Sequence, residues 1–501
     1  MRLSFIDSFL NQITMYKLVM HGLLILSCIS VLFGFLGVLS YSGFAMIETY
    51  FVVMTGVWVS HVILARFFKA TTNVESYIIT GMILFLILAP IASMTDVYIT
   101  FVAGVLASVS KYLLAINKRH IFNPVAISLF LLGLFGFGNA IWWVGSAALL
   151  PFTLCFGLLV VRKIRRFHLF FSFALIAIPV LTFLNIAQGV SINESVVLIL
   201  TSWPLLFFGS IMLTEPMTTP PTKKLYMSYG VLVGLLFSIR FELGPIYSSP
   251  ELALVLGNIY SYLVGPKYKL FLSVISSKKI ASNIYEFVFI KPKGFTYKAG
   301  QYLEWTLSHP KSDSRGVRRF FTIASSPTEE TLKLGVRVDS ESSSSFKRKL
   351  LSLTKDARII ATQLAGDFTL PNDPTVQMTF IAGGIGITPF RSMAAYLIDK
   401  KEKRDITLFY FANTVEDFVY RDIFTRAEAY GLKTMYVPTR EAVHGESGRL
   451  TKDMLKKYTP NFAKRMYYLS GPNAMVEGYK AMLLSVGVQR KNIISDYFPG
   501  F

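Results

Sequence analysis

The stretch Arg318-Arg319-Phe320-Phe321-Thr322-Ile323-Ala324-Ser325-Ser326-Pro327 decides how the second half of this chain is read. It sets a cation, a ring and a hydroxyl close together in Arg319, Phe321 and Thr322, and then closes in a Ser-Ser-Pro turn. On a strand, successive side chains point to opposite faces, so Arg319 and Phe321 share one face and Phe320 and Thr322 the other. A guanidinium holds phosphate through paired hydrogen bonds, a ring lies against a flat cofactor, and a hydroxyl reaches the edge where hydride arrives. That combination suits a flavin.

Outward from this strand, residues 267–374 are a run of short alternating segments, IYEFVFI, QYLEWTL, RRFFTIA, LKLGVRV and ARIIATQL, separated by Gly, Pro and Ser. The pattern predicts an antiparallel β-barrel domain. From residue 375 to 501 it changes to apolar strand, turn and helix, as in MTFIAGGIGITPFRSMAAYLI, ITLFYFANT, LKTMYVPT and MYYLSGP. This predicts an α/β domain with a parallel sheet. Its first turn carries Gly383, Gly384, Gly386, Thr388 and Pro389 beyond the carboxyl end of the first strand, where such sheets bind ligands. Glycines admit a pyrophosphate and the following helix start offers free amides, while the missing Lys-Ser/Thr pair excludes a P-loop.

These motifs occur together and in one order, and residues 271–501 resemble the ferredoxin-NADP reductase superfamily. The resemblance rests on Ala299-Gly300-Gln301-Tyr302, on Arg319, Phe321 and Thr322, on Val336-Arg337-Val338, and on Ser344, Ser345, Phe346 and Lys347. It continues through Gly366-Asp367-Phe368, the turn Gly383 to Pro389, and Ser470-Gly471-Pro472. It implies FAD and NAD(P)H as cofactors. Tyr302, Arg319, Phe321, Thr322, Val336, Arg337 and Ser344 to Phe346 would then serve the flavin. Gly383, Gly384, Gly386, Thr388, Pro389, Gly471 and Pro472 would serve the nicotinamide side. Thr322, Ser470 and Asp496 would stand at the reacting atoms, with Phe498 of the aromatic tail over the flavin. Ser470 stands where many relatives have cysteine, so thiol chemistry is not expected. Thr439-Arg440 resembles the Ser-Arg pair that receives a 2′-phosphate, which favours NADPH.

The first half is a different material. Mean hydropathy is +0.50 over 501 residues with 53% hydrophobic composition, too apolar for a soluble chain. Lysine and arginine number 14 against 8 acids up to Pro266, and 36 against 22 beyond it. Apolar runs begin near Leu18, Phe44, Tyr77, Val97, Val125, Gly145, Phe167, Ser195, Leu225 and Leu252. They predict a polytopic helical membrane domain, residues 1–266, of about ten spans. Cations cluster at every second connection, as at Arg66, at Arg162 to Arg166 and at Lys223, which predicts cytoplasmic termini and reductase domains. The lipid bilayer is therefore an expected partner and nucleic acid is not. Cys28 and Cys155 both lie in apolar runs, so neither a disulfide framework nor a four-cysteine cluster is available.

Two connections stand out, one with Phe122-Asn123-Pro124 and the other with Met212, Thr214, Glu215 and Pro216. Both resemble segments of the membrane subunits B of the sodium-pumping NADH:quinone reductase and D of the Rnf complex. That family carries flavin in its membrane domain, on a threonine following Gly-Ala; no such sequence faces outward here, so a second flavin would be held noncovalently. His21 and His61, near the inner ends of the first two spans, offer a haem instead. No other metal site is expected.

The combined expectation is a membrane flavin oxidoreductase that takes hydride from NAD(P)H onto FAD and passes electrons into or across the membrane. Its acceptor would be an extracytoplasmic or membrane redox protein, a quinone, or a soluble acidic redox protein. The alternatives are a membrane-anchored ferredoxin- or flavodoxin-type reductase and a haem-containing ferric-reductase-like enzyme.

Overall fold

Long apolar segments punctuated by Ser, Asn and Pro caps build the first of two units, Met1–Lys267, and alternating strands build the second, Tyr268–Phe501. The computed structural model describes the chain except residues 1–5, 8, 11–12, 69–73, 117–118, 139, 266–267, 311, 314–315, 340–342, 442–447 and 497–501.

In the first unit, helices α1 (Met15–Phe35), α2 (Gly43–Phe67), α3 (Val74–Ile87) and α4 (Met94–Leu113) lead to a two-residue hairpin, β1 (Ala115–Ile116) and β2 (Arg119–His120), and then to α5 (Pro124–Leu134). After two 3₁₀ turns come α6 (Leu150–Ile164), α7 (Phe167–Ala187), α8 (Ile192–Ser202) and α9 (Leu205–Phe207) with its π-helical continuation Phe208–Met212. Helix α10 (Lys223–Ser238), the hairpin β3 (Glu242–Leu243) and β4 (Ile246–Tyr247), and α11 (Pro250–Val264) complete it. The plan repeats. In each half, two helices, a short or broken one and a further helix precede a two-residue hairpin and a helix with proline in its first turn.

Among the described residues, five helical segments are long and apolar enough to cross a membrane, or six if the pair Ile192–Ser202 and Leu205–Met212, bent by 60°, forms one span. The expectation of ten spans is corrected accordingly. Helices α3 and α5 have 14 and 11 residues; at 1.5 Å per residue they reach roughly 21 and 17 Å, short of about 30 Å of hydrocarbon. A sequence window cannot distinguish a segment that is apolar because it faces lipid from one surrounded by protein. Residues Thr80–Ile87 of α3 are all buried, whereas Ile25, Phe51, Leu175 and Phe183 on α1, α2 and α7 are exposed.

The two unusual connections meet inside this unit. Asn123 caps α5 by accepting from the amides of Val125 and Ala126, and its Nδ2 donates to Glu215 at 2.9 Å. Its own amide donates to Asn258 of α11 at 2.7 Å, and Asn258 Nδ2 donates to the buried Tyr229 hydroxyl. Buried polar groups need partners, and these proline-flanked breaks supply them for one another. The two histidines do not share an environment: His21 is exposed, while His61 is buried with Nδ1 at 3.2 Å from the Tyr112 hydroxyl.

The second unit begins with β5 (Lys269–Ala281), β6 (Ile284–Ile290), β7 (Tyr302–Thr306), β8 (Arg318–Thr322), β9 (Thr331–Arg337), α12 (Ser345–Leu351) and β10 (Arg358–Ala365). These six strands form one sheet in the order β8-β7-β10-β5-β6-β9, every pair antiparallel. In the stretch where an antiparallel barrel was expected, the described residues form a six-stranded antiparallel sheet with no ladder between β8 and β9, although the Ala324 amide just beyond β8 donates to the Lys333 carbonyl of β9 at 2.8 Å. Inward Leu270, Leu272 and Val274 of β5 and Phe287 and Phe289 of β6 share one core with Trp305, whose ring meets that of Phe289. The alternation is what one buried face requires.

The chain continues as β11 (Met378–Gly383), a 3₁₀ turn (Gly384–Ile387), α13 (Thr388–Lys400), β12 (Ile406–Ala412), α14 (Arg421–Ala427), β13 (Leu432–Pro438), α15 (Lys452–Tyr458), β14 (Met466–Ser470), α16 (Asn473–Ser485) and β15 (Ile493–Asp496). The sheet order is β13-β12-β11-β14-β15, all parallel. Every residue of β11 and β12 is buried, which accounts for their continuous apolar runs. The chain moves outward from β11 through β12 and β13, then returns to β11's other side with β14. The order reverses between β11 and β14, and a crevice at such a switch point is where these sheets take ligands.

Candidate active site

A cavity of about 430 Å³ opens at that switch point and faces the end of β8. It is within the usual size of a small-molecule site. Of the residues expected from sequence, Phe321, Thr322, Val336, Arg337, Gly383, Gly384, Gly386, Thr388, Thr439, Ser470, Gly471, Pro472 and Asp496 all line it. Thr322 donates to Asp496 Oδ2 at 3.2 Å across 174 residues of sequence. Glycine is needed at 386: a Cβ there would lie 2.4 Å from the Ser470 carbonyl oxygen and 2.6 Å from the Gly471 nitrogen. Gly384 has φ +54° with open space where its Cβ would be, so the backbone there can be approached closely.

The remaining expected residues stand outside the cavity wall. Tyr302 pairs with Thr322 across β7 and β8, and its ring meets that of Phe320. Arg319 is buried; Nη1 donates to the carbonyls of Gly316 and Arg318, and the guanidinium lies 5.4 Å from the Phe346 ring centroid. Phe321 also packs on Phe346, so Arg319 and Phe321 do share a strand face. Ser344 caps α12 by accepting from Lys347 N, and Ser345 exchanges two hydrogen bonds with Asp313. Pro389 sits in the first turn of α13, and Arg440 is exposed just beyond β13. Phe498 lies outside the described residues.

Several lining residues went unread in the sequence. Gly335 carried a signal, because an isolated glycine inside a strand marks close approach; its Cβ would meet Thr388 Cγ2 at 2.8 Å. Ser282, Asn283, Asn413 and Asp417 carried none, being ordinary turn residues. They meet only in three dimensions, where the Ser282 hydroxyl donates to Asp417 at 2.5 Å.

Burial pushes the Asp496 carboxyl up to about 7, although the hydrogen bond from Thr322 pulls the other way. A folded-state acid raised above its unfolded value of 3.8 costs stability as pH rises. The unfolded chain releases this proton near pH 4 and the folded chain holds it until about pH 7, a cost of roughly 4 kcal/mol above that. Asp496→Asn should therefore gain stability relative to the parent between pH 4 and 7 and keep a constant advantage above 7. Thermal midpoints of both proteins across that range check this; parallel curves would mean that the carboxyl titrates normally.

Residues 380–481 match the oxidoreductase NAD-binding domain family. A flavohemoprotein of Xylella fastidiosa is 27% identical over 208 residues, covering 40% of this chain and 51% of that protein. The stachydrine N-demethylase reductase subunit Stc4 of Rhizobium meliloti is 25% identical over 230 residues, covering 44% and 63%. The glycine betaine monooxygenase reductase subunit of Chromohalobacter salexigens is 25% identical over 220 residues, covering 42% and 58%. The chain thus spans between about half and two thirds of the length of these relatives. Among solved structures, the Amycolatopsis cytochrome P450 reductase GcoB aligns with TM-score 0.41 and 24% identity, over 46% of this chain and 69% of that one. The matched family is one of oxidoreductase domains that bind NAD. The cavity fits such cofactors. Its floor is glycine backbone, with Gly386 packed directly against the Ser470–Gly471 turn, its walls carry Arg337 and Lys347, and Thr322 stands at its edge.

Proposed function

We propose that this chain is a membrane-bound oxidoreductase that takes hydride from NAD(P)H onto FAD at the β11/β14 switch point and hands the electrons on. The observation that carries the reading is the convergence, on one cavity, of the β8 end with Thr322, the Gly383–Thr388 loop, Ser470-Gly471-Pro472 and Asp496. When bound, a flavin accepts two electrons as hydride from a nicotinamide and can release them singly. The Gly383–Gly386 backbone admits the coenzyme, and Ser470 borders the nicotinamide with a small hydroxymethyl group. Thr322 orients the flavin edge, and Asp496, near its midpoint at neutral pH, exchanges a proton through the Thr322 hydroxyl. The six-stranded sheet carries the flavin, with Arg319 and the Ser344–Phe346 segment on the flavin side. This reading puts the second unit in the cytoplasm and the apolar helices in the bilayer, supported by the cation clusters at Arg66, Arg162 to Arg166 and Lys223.

Electrons then leave through the helical unit to a membrane or extracytoplasmic acceptor. A second reading draws on the similarity to proteins named as reductase subunits of an N-demethylase and of a monooxygenase: the helices anchor the reductase, and a separate acidic redox protein collects the electrons. A flavin or haem in the helical unit would favour the first reading over the second.

The preferred coenzyme is NADPH. Thr439 lines the cavity with Arg440 beside it, and the neighbouring acid is engaged elsewhere, since Glu441 Oε2 accepts from the Val415 amide at 3.0 Å. The test is anaerobic addition of NADPH or NADH to the purified full chain, followed by flavin absorbance. NADPH should bleach the bound flavin, and Arg440→Ala should raise the KM for NADPH by roughly ten-fold while sparing NADH. A flavin that neither coenzyme bleaches would overturn the oxidoreductase reading, and equal losses with both would overturn the coenzyme choice.

A further inference from the structure

Helix α13 begins in the cavity wall at Thr388, and one turn on it carries two consecutive side chains that reach back to the other sheet. Arg391 is 3% exposed, and its Nη1 donates to the carbonyl of Ala324 at 3.1 Å. Ser392, fully buried, donates to the next carbonyl, that of Ser325, at 2.5 Å. These carbonyls lie two and three residues beyond Thr322. Arg391 also grips Glu329 through both terminal nitrogens, Nη2 to Oε1 at 2.9 Å and Nη1 to Oε2. Glu329 in turn accepts from the Ser326 amide at 2.5 Å and pairs with Lys333 at 3.1 Å. A fork-to-fork ion pair constrains direction as well as distance, which a lysine does not reproduce.

We propose that Arg391 and Glu329 are a positioning pair that sets the distance between the Thr322 edge and the Gly383–Thr388 loop. The inference rests on the oxidoreductase reading above and assigns these residues no contact with the reacting atoms. Both arms are short: Thr322 is two residues from the first clamped carbonyl, and Arg391 is three from the residue that opens the helix. Little slack is left between the groups that would hold donor and acceptor. Transfer between bound groups falls steeply with misplacement, on the order of 100-fold for 1 Å.

The test compares the full chain with Glu329→Gln, Arg391→Lys and the milder Ser392→Ala. Flavin reduction at saturating NADPH is measured beside flavin content, coenzyme KM and amide hydrogen exchange of residues 323–329. In Glu329→Gln and Arg391→Lys, reduction should slow roughly 10- to 100-fold while flavin content and KM stay within about two-fold of the parent. Exchange at 323–329 should rise, and Ser392→Ala should shift both readouts in the same direction by less. Reduction at the parental rate despite faster exchange would overturn the proposal, as would a loss confined to KM or flavin content. Exchange unchanged in all three variants would overturn it too. A parent chain that neither coenzyme reduces would instead overturn the oxidoreductase reading, while the exchange measurement would still report on the clamp by itself.

Discussion

Replacing Gly386 by alanine should slow coenzyme-driven flavin reduction about 100-fold and leave the flavin bound. The added methyl would sit 2.4 Å from the Ser470 carbonyl oxygen and 2.6 Å from the Gly471 nitrogen. Both are backbone atoms at the end of a fully paired central strand, so no side chain can swing aside to make room. The turn after β11 must lift away from the turn after β14, which opens the crevice between the two strands. Interiors at this packing density transmit such a shift instead of absorbing it. Gly384→Ala is the matched comparison. Its Cβ meets nothing within 4 Å and only the backbone angle, φ +54°, is unfavourable, a cost of about 1–2 kcal/mol. Stopped-flow reduction of both variants, with flavin content measured on the same samples, checks the contrast; equal effects would mean that close approach of the two turns is not what the cavity needs.

Arg319→Ala should strip most of the flavin from the purified chain, with Arg319→Lys intermediate. In the structure this guanidinium is buried, donates to two carbonyls of its own turn, and lies over Phe346, which also supports Phe321. It is held on the Phe321 face of β8 without lining the cavity. A pair of charge-assisted bonds to phosphate is worth about 1.5–3 kcal/mol each, so losing even one weakens retention at least roughly ten-fold. Lysine keeps the charge but not the planar fork. The flavin-to-protein ratio after purification is the measurement, and an unchanged ratio in the alanine protein would remove Arg319 from the flavin site.

Much of the second unit was legible because its signals are local. Five alternating runs became β6 to β10, and the four apolar runs became β11 to β14. The strand β5 lay at the junction between the units and was not singled out. The strand β15 has only four residues, Ile493–Asp496, too few for a period to show. In the first unit, apolar content marked where helices run but overstated the number of spans. Residues Thr80–Ile87 are apolar because protein surrounds them, and composition reads the same for a core as for lipid.

By itself the sequence determined the strand and helix types, the glycine turn and the alternation that sets Arg319 and Phe321 on one face, since period and backbone freedom belong to neighbouring residues. Only the tertiary structure decided which distant groups meet. Asp496 reaches Thr322 across 174 residues, Arg391 reaches Glu329 across 62, and Asn123 reaches Glu215 across 92. In each case a polar group removed from water must find a partner, and which partner is available depends on the packing of whole elements that no local pattern encodes.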